Sequence, residues 1–373
     1  MSPDEFHFWS AVTIIAASLK RHVFIDRGWK LYPNLYTVLV GRQAVGKGAS
    51  IDPAQFILTE ANTANTMTDR LTIEYVEETL AIGFPVTAVI PGGQIAVGRE
   101  HNAIVIAPEL SVFLRKNTSD ALVDLTRLWD SPPKFDYGTR GKGLKIIKDV
   151  CLSILGGSTT TWLTKSIPND AIGGGFTRRV NFVYTKNDPV LPRWNLIPNG
   201  AHKNISLLID DLRHIHNLRG QFTATKEFEK LFDEFTQGTQ FDDFDDEVKT
   251  SYKASKWVNA LKVSMVLSIS RGDSLVLEKP YLEEAIIRVN KVEDDLGMVF
   301  RTTGESTDAA AMGHILNFLE KRGKATLSEI MRISWRHASK EDTIRILSTL
   351  TGAHLVGEGH SGSAVIYTFV KNP

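Results

Sequence analysis

Residues 36–50 read Y-T-V-L-V-G-R-Q-A-V-G-K-G-A-S. An apolar, β-branched run from Thr37 to Val40 stops at Gly41, and Gly46-Lys47 follow after four intervening residues. A strand entering G-x-x-x-x-G-K is the pattern of a phosphate-binding loop. Glycines let backbone N–H groups curl around phosphate oxygens, the lysine reaches the β and γ oxygens, and the following helix offers its positive end. Gly41, Arg42, Gln43, Ala44, Val45, Gly46, Lys47, Gly48, Ala49 and Ser50 are therefore the expected contacts to a nucleotide, with ATP as ligand. The competing reading is a plain glycine-rich turn between a strand and a helix.

One position departs from the pattern. The residue after the lysine is ordinarily Ser or Thr, whose hydroxyl coordinates Mg²⁺. Here it is Gly48, and Ser50, two residues on, is the expected substitute, or a water. Nucleotide binding follows from the loop more directly than metal-assisted hydrolysis does.

A chain of 373 residues exceeds what one hydrophobic core usually serves. Lys plus Arg and Asp plus Glu both number 43, so any nucleic-acid contact must come from local basic patches. Cys151 is the only cysteine, which excludes a disulfide framework and a cysteine-based zinc site, and reads as part of a buried strand in a reducing compartment. No apolar run has the length of a membrane span, and the expected location is cytoplasmic.

Around the loop, strands alternate with helices. Residues 4–20 read as an amphipathic helix, and Val23–Ile25 with Trp29–Tyr32 as a short hairpin. The helix after the loop runs from Ala49 toward Glu60, with Pro53 delaying its regular part. Leu71–Ile82 is a helix with Thr72 as cap, and Val86–Ile90 and Ile104–Ala107 are strands flanking a glycine-rich turn. Asp120–Trp129 is helical, Phe135–Ile147 a hairpin, and Val150–Leu155 and Val180–Tyr184 are strands. From residue 200 the texture is helical, with an acidic, solvated loop at Phe241–Glu247 and a polar linker at Thr302–Thr307. Residues 308–370 read as three helices and a hairpin, with Thr326 and Glu329 forming a capping box and Ser339 capping the third helix. The expected organisation is a helix and hairpin at 1–33 packing on the core, an α/β nucleotide-binding core at 34–199, a helical lid at 200–301 and a winged-helix domain at 308–373. A dimerisation module is the alternative for that last unit.

Splitting ATP needs a carboxylate at the end of a strand beside the loop. Glu109 ends the apolar run Ile104–Ala107 and is the expected water-activating residue, although Pro108 stands where a metal-holding Asp belongs. The alternative for Glu109 is a helix-start carboxylate favoured by the dipole. Ser158 and Thr159 end the next buried strand as candidate γ-phosphate sensors. Arg178 and Arg179 follow the glycines 173–175, where an arginine can serve a neighbouring subunit's site. Lys256 and Lys262 are weaker candidates for a lid cation and read as surface lysines. For DNA, the hairpin tip offers Arg140, Lys142, Lys145 and Lys148 as phosphate contacts and Tyr137 as a stacking ring.

Taken together, N-L-Y-T-V-L-V-G-R-Q-A-V-G-K at 34–47, I-V-I-A-P-E-L-S at 104–111 and F-D-Y-G-T-R-G-K-G at 135–143 resemble a known family. L-S-I-L-G-G-S-T at 152–159 and A-I-G-G-G-F-T-R-R-V-N-F-V-Y at 171–184 complete the set. The chain is similar to the AAA+ helicase-like ATPases of phages and mobile elements, which are distantly similar to superfamily-three and MCM helicases. The resemblance implies Lys47 for the phosphates, Glu109 for water, Ser158 or Thr159 as first sensor and Arg179, then Arg178, as the trans-acting finger. It implies residues 135–148 as a pore hairpin on single-stranded or forked DNA. It also implies a homo-oligomeric ring, commonly a hexamer, with ATP and Mg²⁺ between subunits in a bacterial host cell. Family members often carry a primase-like domain ahead of the motor, and none is read in this sequence. The expected activity is ATP-dependent DNA translocation or unwinding in replication. The alternatives are a DNA-binding ATPase switch, such as an origin binder or loader, and an oligomeric scaffold with vestigial ATP sites.

Overall fold

The computed structural model describes residues 2–68, 71–90, 93–114, 118–139, 143–168, 171, 174–186, 201–241, 247–300, 307–334, 338–361 and 364–370. Two compact units make up the chain, Met1–Phe300 and Arg301–Pro373.

In the first unit, α1 (Asp4–Leu19) and the hairpin of β1 (Val23–Asp26) and β2 (Lys30–Leu31) precede β3 (Tyr36–Val40) and α2 (Gly48–Ala61). β4 (Thr66–Thr68) and α3 (Ile73–Ile82) lead into a hairpin, β5 (Phe84–Ile90) with β6 (Gly93–Glu100), and then β7 (Asn102–Ala107). Next come α4 (Leu110–Phe113), α5 (Thr118–Trp129) and a second hairpin, β8 (Lys134–Thr139) with β9 (Gly143–Lys148). β10 (Cys151–Ser158), α6 (Thr160–Ser166) and β11 (Val180–Tyr184) close the α/β part. The rest is α7 (Ala201–His216), the short strands β12 (Gly220–Gln221) and β13 (Thr223–Ala224), α8 (Lys226–Gln237), α9 (Glu247–Gly272), β14 (Val276–Leu277) and α10 (Lys279–Phe300).

The centre is a five-stranded sheet in the order β11-β3-β10-β7-β4, every pair parallel. β3, β7 and β10 are buried at every residue, as continuous apolar runs require when helices cover both faces. This is a mixed α/β protein with a core of the Rossmann-like or P-loop-like kind. α1 is buried on most of its circumference rather than along one stripe, and its Thr13 hydroxyl donates to Thr37 Oγ1 of β3 at 2.8 Å. α9 and α10 pack on the edge strand β11. Tyr252 donates to Asn181 at 3.1 Å, and the Phe300 ring stands edge-on to Phe182 at 5.1 Å. The stretch expected as a lid is therefore part of this unit's core.

Several local expectations change. β10 does not stop at Leu155 but runs on through Gly156 and Gly157, which pair with Val38 and Leu39 of β3; position 157 takes glycine because a Cβ there would lie 2.4 Å from the Pro108 carbonyl oxygen. α2 begins at Gly48 and absorbs Pro53, which forfeits one early hydrogen bond without delaying the helix. The glycine-rich turn after Val86–Ile90 contains β6, paired only to β5. β4, three residues long, had no readable pattern.

The second unit contains α11 (Thr307–Arg322), β15 (Lys324–Thr326), α12 (Leu327–Ser334), α13 (Lys340–Gly352), β16 (Val356–Ser361) and β17 (Ala364–Phe369). Its antiparallel sheet runs β15-β17-β16 over a core that includes Ile315, Leu319, Ile330 and Leu347. The capping box is formed: Glu329 Oε2 accepts from the Thr326 N–H and hydroxyl, both at 2.9 Å. Strand β16 takes in the glycines 357 and 359.

Candidate active site

Because the five strands are parallel, all their C-terminal ends meet one edge of the sheet, where ligands of open α/β sheets bind. β3 ends there at Val40, opposite Ser158 of β10, and Gly156 of β10 stands opposite Ala107 of β7. Two residues beyond Ala107, Glu109 comes level with Ser158. Adjacent strands lie about 4.8 Å apart, so the phosphate loop and Glu109 leave strand ends about 10 Å apart. Ser158 lies between them.

The loop has the backbone the motif needs. Gly46 has φ +93° and Ala44 has φ +62°, the latter a left-handed conformation uncommon for a residue with a Cβ. A Cβ on Gly41 would lie 2.9 Å from Val45. α2 starts with no side-chain cap and no acidic residue in its first turn, which leaves its first N–H groups for an anion. Lys47 Nζ meanwhile donates to the carbonyls of Gly41 at 2.9 Å and Arg42 at 2.8 Å, folding the ammonium over its own loop. Burial lowers the Lys47 pKa, and the negative charge of Glu109 opposes that shift. The two side chains are thus electrostatically coupled across the edge.

These groups fit a nucleotide's phosphates. For Mg²⁺ the donor set differs from the usual one. Ser50 is buried and its hydroxyl donates to the Lys47 carbonyl at 2.9 Å, so the geometry gives no support to Ser50 as a metal contact. Beside Gly48, however, lies a carboxylate: a Cβ built there would be 3.5 Å from Asp52 Oδ2. Asp52 is one helical turn on, at the i+4 spacing that brings side chains together. Sequence reading missed it, although that spacing from Gly48 was available as a signal. Asp52 is exposed and carries a hard carboxylate oxygen of the kind that Mg²⁺ prefers and that Gly48 and Pro108 lack.

Glu109 stands just before α4 but makes no cap bond; Ser111 Oγ donates to its Oε2 at 3.3 Å. Its carboxylate is exposed and is not occupied as a helix cap. Thr159 is the N-cap of α6, its hydroxyl accepting from Trp162 N at 3.3 Å, which leaves Ser158 as the better-placed sensor.

The arginines lie elsewhere. Val180 pairs with Tyr36, the first residue of β3, so Arg178 and Arg179 sit at the opposite edge from the loop. Arg179 grips both Asp130 oxygens, at 3.0 and 2.8 Å, donates to the Gly175 carbonyl at 3.0 Å and lies over the Trp129 ring. Arg178 makes no ion pair among the described residues, and is the freer of the two. Lys256 and Lys262, expected at the surface, are both buried. Lys256 pairs with Glu293 at 2.7 Å, and Lys262 donates to Asn34 at 2.8 and 2.9 Å.

On the second hairpin, Tyr137 and Lys145 are cross-strand partners on the face toward α3. Tyr137 packs against the core, and Lys145 pairs with Glu78 at 2.8 Å. The outward face instead carries Leu144, 71% exposed, and Ile146. Arg140 and Lys142 lie outside the described residues. No cluster of three or more metal-ligating His, Cys, Asp or Glu occurs among the described residues, and no helix there is long and apolar enough to cross a membrane. Comparison with models of known families and with curated proteins gives no match to this chain.

Proposed function

We propose that the chain is an ATP-driven DNA translocase of the AAA+ helicase-like kind, working as a ring in the replication of a phage or mobile element. The observation that carries this reading is the convergence on one sheet edge of Lys47, Ser158 and Glu109 from the ends of β3, β10 and β7. On ATP binding, phosphate oxygens replace the Gly41 and Arg42 carbonyls as partners of Lys47, and the first N–H groups of α2 close on the same charge. Glu109 orients a water for attack on the γ-phosphorus and takes up its proton, while the Ser158 hydroxyl contacts the γ-phosphate from between them. Asp52, with water, would hold Mg²⁺, whose chemistry there would be charge neutralisation at the phosphates. Supporting the DNA part are the basic residues in the sequence 135–148 and a second unit with the element order of a winged helix.

A second reading, a DNA-binding ATPase switch without processive motion, is favoured by the pairing of Arg179 with Asp130 of its own chain. DNA-stimulated ATPase, measured alongside particle mass by light scattering, separates the two. Turnover that rises with single strands supports the motor, whereas tight ATP binding without turnover supports the switch. Lys47→Ala should abolish turnover with the fold intact by circular dichroism; unchanged turnover removes the ATP-site assignment.

A further inference from the structure

At the opposite edge of the sheet from the phosphate loop lies a cavity of about 270 Å³. Trp29, Trp129 and Trp257 line it, with Arg27 and Lys30 beside Trp29 and with Lys262 and Asn34 buried. Its rim and floor differ in character. Trp29, on the β1–β2 turn, is 58% exposed, and Arg27 and Lys30 are exposed with it. Trp129 is only 5% exposed, and its indole Nε1 is a buried donor with no hydrogen-bond partner.

The charge balance selects the ligand. The exposed Arg27 and Lys30 face one acid, Asp130, which Arg179 already holds. Arg27 rests over the Phe232 ring at 4.8 Å and Lys30 over Phe24 at 4.2 Å, so the rim cations are positioned by aromatic faces rather than by carboxylates. That balance disfavours a cationic guest of an aromatic cage and favours a flat ring carrying negative charge. A volume at the lower end of small-ligand pockets admits one ring system.

We infer that this cavity takes an unpaired nucleobase of a single strand, stacked against Trp29, with its phosphates at Arg27 and Lys30. The inference goes beyond the ATPase reading and does not depend on it, since it shares no residue with the phosphate loop.

The test uses the full chain, intrinsic tryptophan fluorescence and the anisotropy of a labelled short oligodeoxythymidylate. The strand should quench the fluorescence saturably, and Trp29→Ala should weaken strand binding by roughly 5- to 150-fold, the worth of one stacked base. Arg27→Ala with Lys30→Ala should flatten the salt dependence of that binding. Lys47→Ala should retain the quench, so loss of ATP turnover and loss of this site are read separately. Absence of quenching, or a Trp29→Ala variant that binds the strand as tightly as the parent, overturns the site. Thymidine monophosphate binding as tightly as the strand overturns the single-strand assignment.

Discussion

The two edges of the central sheet are made by the same strands and finished in different ways. Where the strands end, polar groups lack lasting partners: Lys47 falls back on loop carbonyls, α2 starts uncapped, and Glu109 caps nothing. Where they begin, charge is met by charge or carbonyl. Arg179 holds Asp130, Lys262 holds Asn34, and Arg21 donates to the carbonyls of Ser131 and Val150 at 2.9 and 3.1 Å. A group already satisfied gains little by binding a ligand, whereas one left open gains a great deal. The first edge therefore keeps groups open to a ligand, and the buried charges of the second serve cohesion, with the exposed rim of Arg27, Trp29 and Lys30 outside that rule.

The largest effect expected from breaking this contrast is at Glu109. Glu109→Gln should lower turnover by roughly 10²–10⁴-fold, since an amide cannot accept the water's proton, while ATP binding persists. Single-turnover hydrolysis together with equilibrium nucleotide binding measures both. Hydrolysis at the parent rate would move the water-activating role away from the end of β7.

Arg179 tests the cohesive edge. Arg179→Ala strands Asp130, but that carboxylate is 47% exposed and water takes over part of its solvation. A loss of about 1–3 kcal/mol in folding stability is expected after that discount. Arg178→Ala, which breaks no ion pair among the described residues, should stay within about 0.5 kcal/mol. Denaturant midpoints separate the two. If Arg178 serves a neighbour's site, its removal lowers turnover without that loss. An Arg179→Ala protein that folds with parental stability yet cannot turn over would return the finger role to Arg179.

What the sequence made legible follows the range of the interactions involved. The loop, its strand and the helix behind it are local, and residues 36–50 announce them. Capping at Thr72, Ser339 and Thr326 depends on residues three apart and was equally readable. The partners of Arg179 and Lys262 are not local: Asp130 is 49 residues from one and Asn34 is 228 from the other. No periodicity records such pairings, so a buried lysine on a long helix looked like a surface one. Lys262 stays inside because Asn34 offers two oxygens and the Trp129 ring a π face at 3.7 Å. Ser158 was found from its strand's end, but its place between Lys47 and Glu109 required the strand order. Asp52 was visible one turn beyond Gly48 and went unread.

The smallest effect concerns how Lys262 is held. Burial lowers its pKa from 10.5 to about 7, with the charge of Asp130 opposing the shift. Above pH 7 the folded chain increasingly holds a neutral amine while the unfolded chain keeps it charged. The unfolded state then binds more protons, and stability rises with pH across that window. Glu77 acts in the other direction. Burial, aided by Asp124, raises its carboxyl to about 8, so its contribution falls as pH climbs from 4.5 through 8. The whole-protein curve mixes the two, and a difference isolates Lys262. Lys262→Met keeps the length of the side chain and removes the titrating amine. Between pH 7 and 9 the parent should gain about 1–2 kcal/mol relative to the variant. The gain levels off as the pH nears 10.5, where the lysine of the unfolded chain loses its proton as well. Urea midpoints for both proteins at intervals across the window supply the measurement. A flat difference would mean that Asn34 and the Trp129 face keep the ammonium charged throughout. The beginning edge of the sheet would then hold a permanent cation as firmly as it holds Arg179.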